Sequence, residues 1–551
     1  MLYLLLALPS LILVIYTQDT TTFLLSLYIL VYLYALLKTT KYNFVLLPFL
    51  LIVPLNLYYI FLFKSVLSEQ ILSIVLETNV QEGWHFIGAR IYFYISIFFL
   101  WVIFCLYFCY KNFKQPKVWK HRSRYWILAV GFIHFSFMFF LQQQISRQID
   151  QATEAQENFL VREKNGFLQD IKQTYPLGLI VSIYDLWIEQ QKIQQAFQHN
   201  QKFKFNAQQI KNPTQKEVYI LVIGETSRRS NWQLNGYVRG TNPQLSQQRH
   251  LVNFPNFLAI STETRTSIPV MLTRKPAQQV YQFNFNEKSI LSAFKEAGFK
   301  TYWLSMQQKF GAFDTSTSVY AKEAEYMQFL NHTDYKNSGG LDTVLLPELT
   351  RIIQNDENKQ FIVLHTLGSH YNYAHRYSKE FNHFRPSLTD ISGYSLQDIK
   401  YKQELLNSYD NSILFTDQML NGVIEALKKQ NIVAFMLYSS DHGEDLFDQN
   451  CEQSGHGLRT VNNLEISGFA WYSDKYAQIN PKKIAQLHHN ASNRLNQKII
   501  FPTLLDAADI YLPKDPLDKS MLKKLDVYPR FVLGGINYDT ALKEGKCQEI
   551  R

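Results

Sequence analysis

Glu225 closes the apolar run Val218-Tyr-Ile-Leu-Val-Ile-Gly-Glu225, and Asp441 and His442 close Ala434-Phe-Met-Leu-Tyr-Ser-Ser-Asp441-His442. Two carboxylates and an imidazole, with no thiolate among them, are a donor set for Zn²⁺ or Mn²⁺ at an open, catalytic site. Ser261-Thr-Glu-Thr264-Arg-Thr-Ser-Ile-Pro269 is a hydroxyl-rich turn leading into a helical pattern. Thr264, near that helix start, can offer its Oγ1 to a metal while free N–H groups and the helix dipole favour an anionic phosphoryl group. A hydroxyl alone is a poor nucleophile at neutral pH, and a divalent cation stabilises its alkoxide. Taken by themselves, Thr262, Thr264, Thr266 and Ser267 read more simply as helix N-caps.

Two further imidazoles lie on segments that could reach the same cleft. Phe361-Ile-Val-Leu-His365-Thr-Leu-Gly-Ser-His370 carries His370 beyond a Gly-Ser bend, and Ser454-Gly-His456-Gly carries His456 on a glycine-flanked loop. Such groups can bind a second metal, hold phosphate oxygens or protonate a leaving group. His365, inside its apolar run, reads as a hydrogen-bonded core histidine. Glu444 reads either as a support for a ligand or as a solvated carboxylate. His134 sits in an apolar helical run and is a functional candidate by default, although Ser136 and the surrounding aromatic residues favour a structural role.

These donors meet only if their strands lie side by side. The runs are short, β-branched and aromatic, and are closed by Gly or Ser, the pattern of central strands in a parallel sheet buried on both faces. Open α/β sheets bind ligands at the carboxyl ends of such strands. The expectation is a C-terminal α/β domain over residues 216–551 with a mostly parallel central sheet.

Ahead of it, five apolar runs nearly free of charge occupy 1–16, 20–37, 42–63, 91–110 and 125–141. They predict a five-helix transmembrane domain over 1–141, the first run lacking the basic region and small-residue site of a cleaved signal peptide. Lys and Arg resist translocation. Lys111, Lys114, Lys117, Lys120, Arg122 and Arg124, like Lys38 and Lys41, therefore assign their loops and the N-terminus to the cytoplasm. Asp19, Glu69, Glu77 and Glu82 fall opposite, which makes everything after Leu141 extracytoplasmic. Residues 142–215 read as a helical and interfacial linker, with an apolar island at 175–187 lying at the membrane surface or against the soluble domain. Asn212-Pro213-Thr214 supplies a turn before the first strand. Residues 68–84 read as an interfacial helix in which Thr78, Asn79 and Glu82 are, on pattern alone, solvated positions.

The formal charge of +9 is concentrated in one juxtamembrane loop, a pattern suited to anionic lipid. No nucleic-acid-binding module is readable. Cys105 and Cys109 fall within an apolar run, whereas Cys451 and Cys547 lie outside. An oxidising compartment would permit that second pair to bridge if the Cβ atoms come within reach.

Together these strings resemble the phosphoethanolamine transferases of Gram-negative envelopes, within the alkaline phosphatase and sulfatase superfamily. The resemblance spans the apolar N-terminal region, Gly224-Glu225-Thr-Ser-Arg with Leu234-Asn-Gly-Tyr237-Val-Arg239-Gly-Thr-Asn-Pro243, the Thr264 turn with Pro269, Leu364-His-Thr-Leu-Gly-Ser-His370, and Ser440-Asp-His-Gly-Glu444. It implies an alkaline-phosphatase-like (sulfatase-like) domain on the periplasmic side of a bacterial inner membrane. It also implies zinc, one ion or two with Mn²⁺ as the alternative, held by Glu225, Thr264, Asp441 and His442, Thr264 being also the nucleophile. His370 and His456 correspond to substrate-binding histidines or second-metal ligands, and Thr78, Asn79 and Glu82 to contacts with the lipid donor.

The implied reaction transfers phosphoethanolamine from phosphatidylethanolamine to an envelope glycolipid or glycan, lipid A or lipopolysaccharide core, through a phosphothreonine intermediate. The alternatives are a phosphoglycerol transferase and a catalytically dead, membrane-tethered binding or sensor protein. Sulfate-ester hydrolysis is disfavoured because the turn lacks the Cys-x-Pro-x-Arg or Ser-x-Pro-x-Arg string from which formylglycine is made. Ile260 and Val270 stand where the lipid A branch usually has cysteines, and Tyr371-Asn372 where Gly-Pro often follows the third-strand histidine. These departures leave the acceptor open among lipid A, a core sugar, another glycan and a protein.

Overall fold

The structure is a computed structural model that describes residues 1–17, 20–63, 66–67, 72, 91–149, 171–211, 215–282, 285–307, 316–331 and 340–551. Asp19, Thr78, Asn79, Glu82 and the turn Asn212-Pro213-Thr214 lie outside the described residues, as does the expected interfacial segment apart from Leu72. The described residues fall into two units, an N-terminal helical one and another running from Gln190 to Arg551.

The helical unit contains α1 (Leu2–Thr17), α2 (Thr20–Leu37), α3 (Leu47–Phe63), α4 (Ile91–Lys114) and α5 (Ser123–Ile149). In an apolar run a helix satisfies every internal backbone N–H and C=O within the segment itself. The stretches Thr20–Leu37, Thr40–Phe61 and Tyr92–Lys114 are long and apolar enough to cross a membrane, and Leu2–Thr17 is shorter. Leu6, Leu30 and Leu50 share a core with Tyr175 and Leu179, the last at the start of α6 (Leu177–Asn200). The Tyr175 N–H donates to Ser26 Oγ at 3.3 Å and its hydroxyl to the Phe49 carbonyl. The apolar island thus begins as a packed part of the helical unit. His134 packs edge-on to Tyr28, ring centroids 5.6 Å apart.

The second unit is built on a seven-stranded sheet. Its strands are β1 (Glu217–Gly224), β2 (Leu251–Asn253), β3 (Lys300–Ser305), β4 (Tyr326–Phe329), β5 (Lys359–His365), β6 (Val433–Ser440) and β7 (Gly468–Tyr472), in the order β2-β7-β6-β1-β5-β3-β4. β6, β1, β5, β3 and β4 pair in parallel, while β7 runs antiparallel to both β6 and β2. Every residue of β1 is buried, because alternate side chains serve two cores. Tyr219, Leu221 and Ile223 pack with Ile268 and Met271 of α7 (Thr264–Leu272), and with Phe294 and Phe501. Val218, Ile220 and Val222 pack with Leu349 and Ile352 of α8 (Leu345–Gln354), and with Tyr409 and Ile413 of α9 (Lys402–Lys428). Cys451 and Cys547 form a disulfide, whereas Cys105 and Cys109 are free.

Register brings the candidate donors to one place. Gly224 is paired with Ser440 and Ile223 with His365, so the chain leaves three neighbouring strands at one level, at the carboxyl edge where open sheets bind ligands.

Candidate metal centre

Thr264, the first residue of α7, places Oγ1 2.7 Å from Asp441 Oδ2 and 3.3 Å from His442 Nε2. The two Glu225 oxygens lie 3.4 and 3.3 Å from the same hydroxyl. His442 Nε2 is 3.4 Å from both Glu225 Oε1 and Asp441 Oδ2, and all three titratable groups are buried. The surrounding hydroxyls are not caps of α7: Glu263 holds the cap position without a side-chain cap bond, and Thr266 Oγ1 donates to Ser261 Oγ at 2.8 Å.

Backbone groups aim each donor. Asp441 Oδ1 accepts from the N–H of Thr226 at 3.0 Å and of His442 at 2.7 Å, which leaves Oδ2 for the cluster. His442 Nδ1 lies 2.9 Å from the Gly443 carbonyl. A carbonyl only accepts, so Nδ1 carries a hydrogen, and Nε2 is the nitrogen left for the cluster. Thr226 Oγ1 donates to Glu225 Oε1 at 2.8 Å, and Gln307 Nε2 to Oε2 at 3.2 Å.

Burial and the adjacent charge of Glu225 push Asp441 up to about 7. Against its own burial, His442 is pushed up to about 10 by the charges of Asp441 and Glu225. Burial also opposes ionisation of Glu225, but the hydrogen bond and charge of His442, helped by His370 and His456, hold it well below the usual carboxylate range. Like charges this close in a dry site are relieved by a retained proton or by a bound cation. Two carboxylates, an imidazole nitrogen and a hydroxyl in one buried cluster therefore fit a divalent ion.

His442, Glu444 and His456 form an adjoining cluster. His456 Nδ1 lies 3.0 Å from Glu444 Oε2, while the Tyr373 hydroxyl donates to Oε1 at 2.8 Å. The His456 ring centroid is 4.6 Å from that of His442 and 5.8 Å from that of His370, so both outlying histidines come to the centre. Glu444 is fully buried and supports His456, which settles between the two readings its sequence position allowed. His365 departs from expectation. It lies in the core, but neither ring nitrogen has a hydrogen-bond partner among the described residues, and burial pushes its pKa down to about 4.

Gln307 escaped the sequence reading, although it lies two residues past the carboxyl end of β3, where the crevice rule points. The Tyr237 and Arg239 strings had a family meaning but no physical one. Tyr237 Oη and Arg239 Nη1 both donate to Asp410 Oδ2, at 2.8 and 2.7 Å, and Asn231 donates to Oδ1 at 2.5 Å. The loop after β1 is thereby fastened to α9. Asp410→Ala would leave the buried Asn231 amide and the Tyr237 hydroxyl without this acceptor, while Arg239 keeps Asn407, and we expect a loss of about 1–3 kcal/mol, measured by thermal or chemical unfolding of the full chain.

Gly368 carries φ +45°, and a Cβ there would lie 2.7 Å from the Glu225 carbonyl oxygen. That residue must shift if the glycine is replaced. Gly368→Ala is therefore expected to lower turnover by roughly 100-fold with a smaller effect on the unfolding temperature, read by initial rates beside a melting curve.

A doubly covered, mostly parallel sheet with carboxylate, imidazole and hydroxyl donors at its carboxyl edge defines the alkaline-phosphatase-like class of α/β proteins. A family model described as sulfatase matches residues 217–510, more than half of the chain, and the chain belongs to that family. It is 28% identical over 307 residues to the Kdo(2)-lipid A phosphoethanolamine 7''-transferase of Escherichia coli K12, covering 54% of this chain and 51% of that protein. The chain thus spans about half the length of the curated relatives it matches. Among solved structures, it is similar to the integral membrane lipooligosaccharide phosphoethanolamine transferase A of Neisseria meningitidis, with a TM-score of 0.67 at 22% identity over 93% of this chain and 92% of that one. It is also similar to the C-terminal periplasmic domain of the Escherichia coli protein EptC in complex with Zn, with a TM-score of 0.55 at 24% identity over 62% of this chain and 98% of that one. The family read from the sequence motifs is the one these comparisons return.

Proposed function

We propose that the chain is a zinc-dependent transferase that moves phosphoethanolamine from phosphatidylethanolamine to an envelope glycolipid or glycan, lipid A or lipopolysaccharide core, relatives being named for Kdo(2)-lipid A and for lipooligosaccharide. The carrying observation is the convergence of Thr264 Oγ1 on the Asp441 and Glu225 carboxylates and on His442 Nε2. The zinc of the related EptC domain supports the choice of metal. Zn²⁺ held by Glu225, Thr264, Asp441 and His442 would lower the pKa of the hydroxyl and neutralise charge on the phosphoryl oxygens.

The chain's own residues carry the rest. Asp441 Oδ2, the closest acceptor to Thr264 Oγ1 at 2.7 Å, takes the proton as the oxygen attacks phosphorus. The bond from phosphorus to the diacylglycerol oxygen breaks, and His456 delivers a proton to that oxygen through Nε2, its Nδ1–H being held by Glu444. His456, now neutral, removes a proton from an acceptor hydroxyl, which displaces phosphoethanolamine from Thr264. Asp441 returns the first proton, and His370 binds the phosphoryl group in transit. The five N-terminal helices are read as embedded in the inner membrane with the catalytic unit in the periplasm, which brings lipid donor and nucleophile together. Thr78, Asn79 and Glu82 are assigned to the donor headgroup. The test is incubation of the purified full chain with lipids labelled in the headgroup, followed by peptide mass analysis. Ethanolamine phosphate on Thr264 supports the reading, glycerol phosphate there would replace it with a phosphoglycerol transferase, and no adduct with either donor would leave a binding or sensor protein.

A further inference from the structure

We infer that the C-terminal hairpin is a positioning clamp for His456, with Cys451 and Cys547 as positioning residues for the protonation of the leaving oxygen; the inference rests on the role given to His456 above. Lys543–Glu544 pairs antiparallel with Glu549–Ile550, and Ile550 is anchored among Leu258, Leu464 and Val532. From that anchor the hairpin grips the His456 segment on both sides. Upstream, Cys547 is bonded to Cys451, five residues before His456. Downstream, the Ile550 N–H donates to the Arg459 carbonyl at 2.7 Å and the Val461 N–H to the Gln548 carbonyl at 3.2 Å, while Thr460 bridges Glu549.

His456 needs such a grip because both of its neighbours are glycines, at φ +119° for Gly455 and +77° for Gly457. Glycine there leaves the backbone free to swing, so the ring's position depends, besides its bond to Glu444, on what holds the ends of the segment. Between the grips, Ser454 and Gly455 pair with Leu446 and Asp445, and the Gly457 N–H donates to the carbonyl of Thr262, two residues before Thr264, at 2.9 Å. The clamp therefore registers the histidine against the nucleophile's own turn. Releasing one end would leave the fold anchored through Ile550 while letting the ring drift, and a displacement of about 1 Å is enough to cost a proton transfer much of its rate.

The test compares the first displacement alone, release of diacylglycerol or of nitrophenolate in a single turnover, for two phosphoethanolamine donors on the full-length protein. Phosphatidylethanolamine has an alkoxide leaving group that needs a proton, whereas a p-nitrophenyl ester of phosphoethanolamine releases a stable phenolate without one. Cys451→Ala/Cys547→Ala is expected to lose about tenfold or more on the lipid donor and less than about threefold on the nitrophenyl ester, the pattern His456→Ala shows more strongly. Reduction of the folded wild-type protein with a non-thiol phosphine, in the presence of excess Zn²⁺ and checked by circular dichroism, makes the same comparison if the double variant does not fold. Equal loss on both donors, or no loss on either, would overturn the clamp. Absence of the discrimination in His456→Ala itself would instead overturn the role of His456, so the two failures are told apart.

Discussion

Thr264→Ala is expected to reduce transfer by at least about 10⁴-fold while leaving the melting temperature of the full chain nearly unchanged. The magnitude follows from removal of the group that forms the covalent bond, since loss of a nucleophile leaves only what binding and charge stabilisation supply. The selectivity follows from the surroundings. Thr264 is the first residue of its helix and is not the cap, so its side chain contributes little to the stability of α7. Thr264→Ser keeps the oxygen and is expected to retain activity within roughly 100-fold of the wild type, since the lost methyl affects only rotamer choice. The measurement is transfer of labelled ethanolamine phosphate to a purified envelope acceptor, with the quenched enzyme digested for the phosphothreonine peptide. Alanine-variant turnover within tenfold of wild type would remove Thr264 from the chemistry and shift attention to an activated water.

The sheet was readable in advance because β1 and β6 are buried on both faces and so carry unbroken apolar runs, a signal that needs no partner to be recognised. The convergence of the candidate donors at their ends was readable for the same reason, since the crevice rule converts a strand terminus into a location. What stayed hidden depends on contacts between segments far apart in the chain. Glu444 follows Asp441-His442 in either of its two readings, and only the hydroxyl of Tyr373, 71 residues away, together with His456 decides for the buried one. The tie from Arg239 to Asp410 crosses 171 residues, and no periodicity records it. His365 lies in the core as expected, but without the expected hydrogen bond among the described residues, for a related reason. An imidazole within an apolar run is normally expected to find a partner, but the sequence cannot say that the neighbouring ring is Trp303, edge-on at 5.7 Å. The Cys451–Cys547 bridge was equally undecidable from composition, because it depends on where the C-terminal hairpin returns to the Asp445–Gly455 ribbon.

The stabilisation conferred by zinc is expected to be larger at pH 8 than at pH 6. In the metal-free protein Asp441 is raised from the ordinary 3.8 to about 7. A carboxyl shifted upward contributes stability that is fully present below 3.8 and is lost as pH rises through about 7. His442, raised from 6.5 to about 10, contributes in the same direction, with its share present below 6.5 and lost as pH rises through about 10. Glu225 is shifted downward, so its contribution is present above its unfolded value and stays constant across the neutral range. The metal-free protein should therefore weaken between pH 6 and 8, through Asp441 and His442 together. A cation among these donors reverses the balance, since it requires Asp441 ionised and His442 neutral and its binding releases their protons. Melting curves recorded with a chelator and with excess Zn²⁺ at the two pH values measure the difference directly. Asp441→Asn supplies the control, because it removes one of the two charges. Its metal-free form should melt higher than metal-free wild type at pH 8, lose most of the zinc shift, and be inactive. A zinc shift equal at both pH values, or larger at pH 6, would mean that these carboxylates do not share the ion, and the assignment of the centre would fall with it.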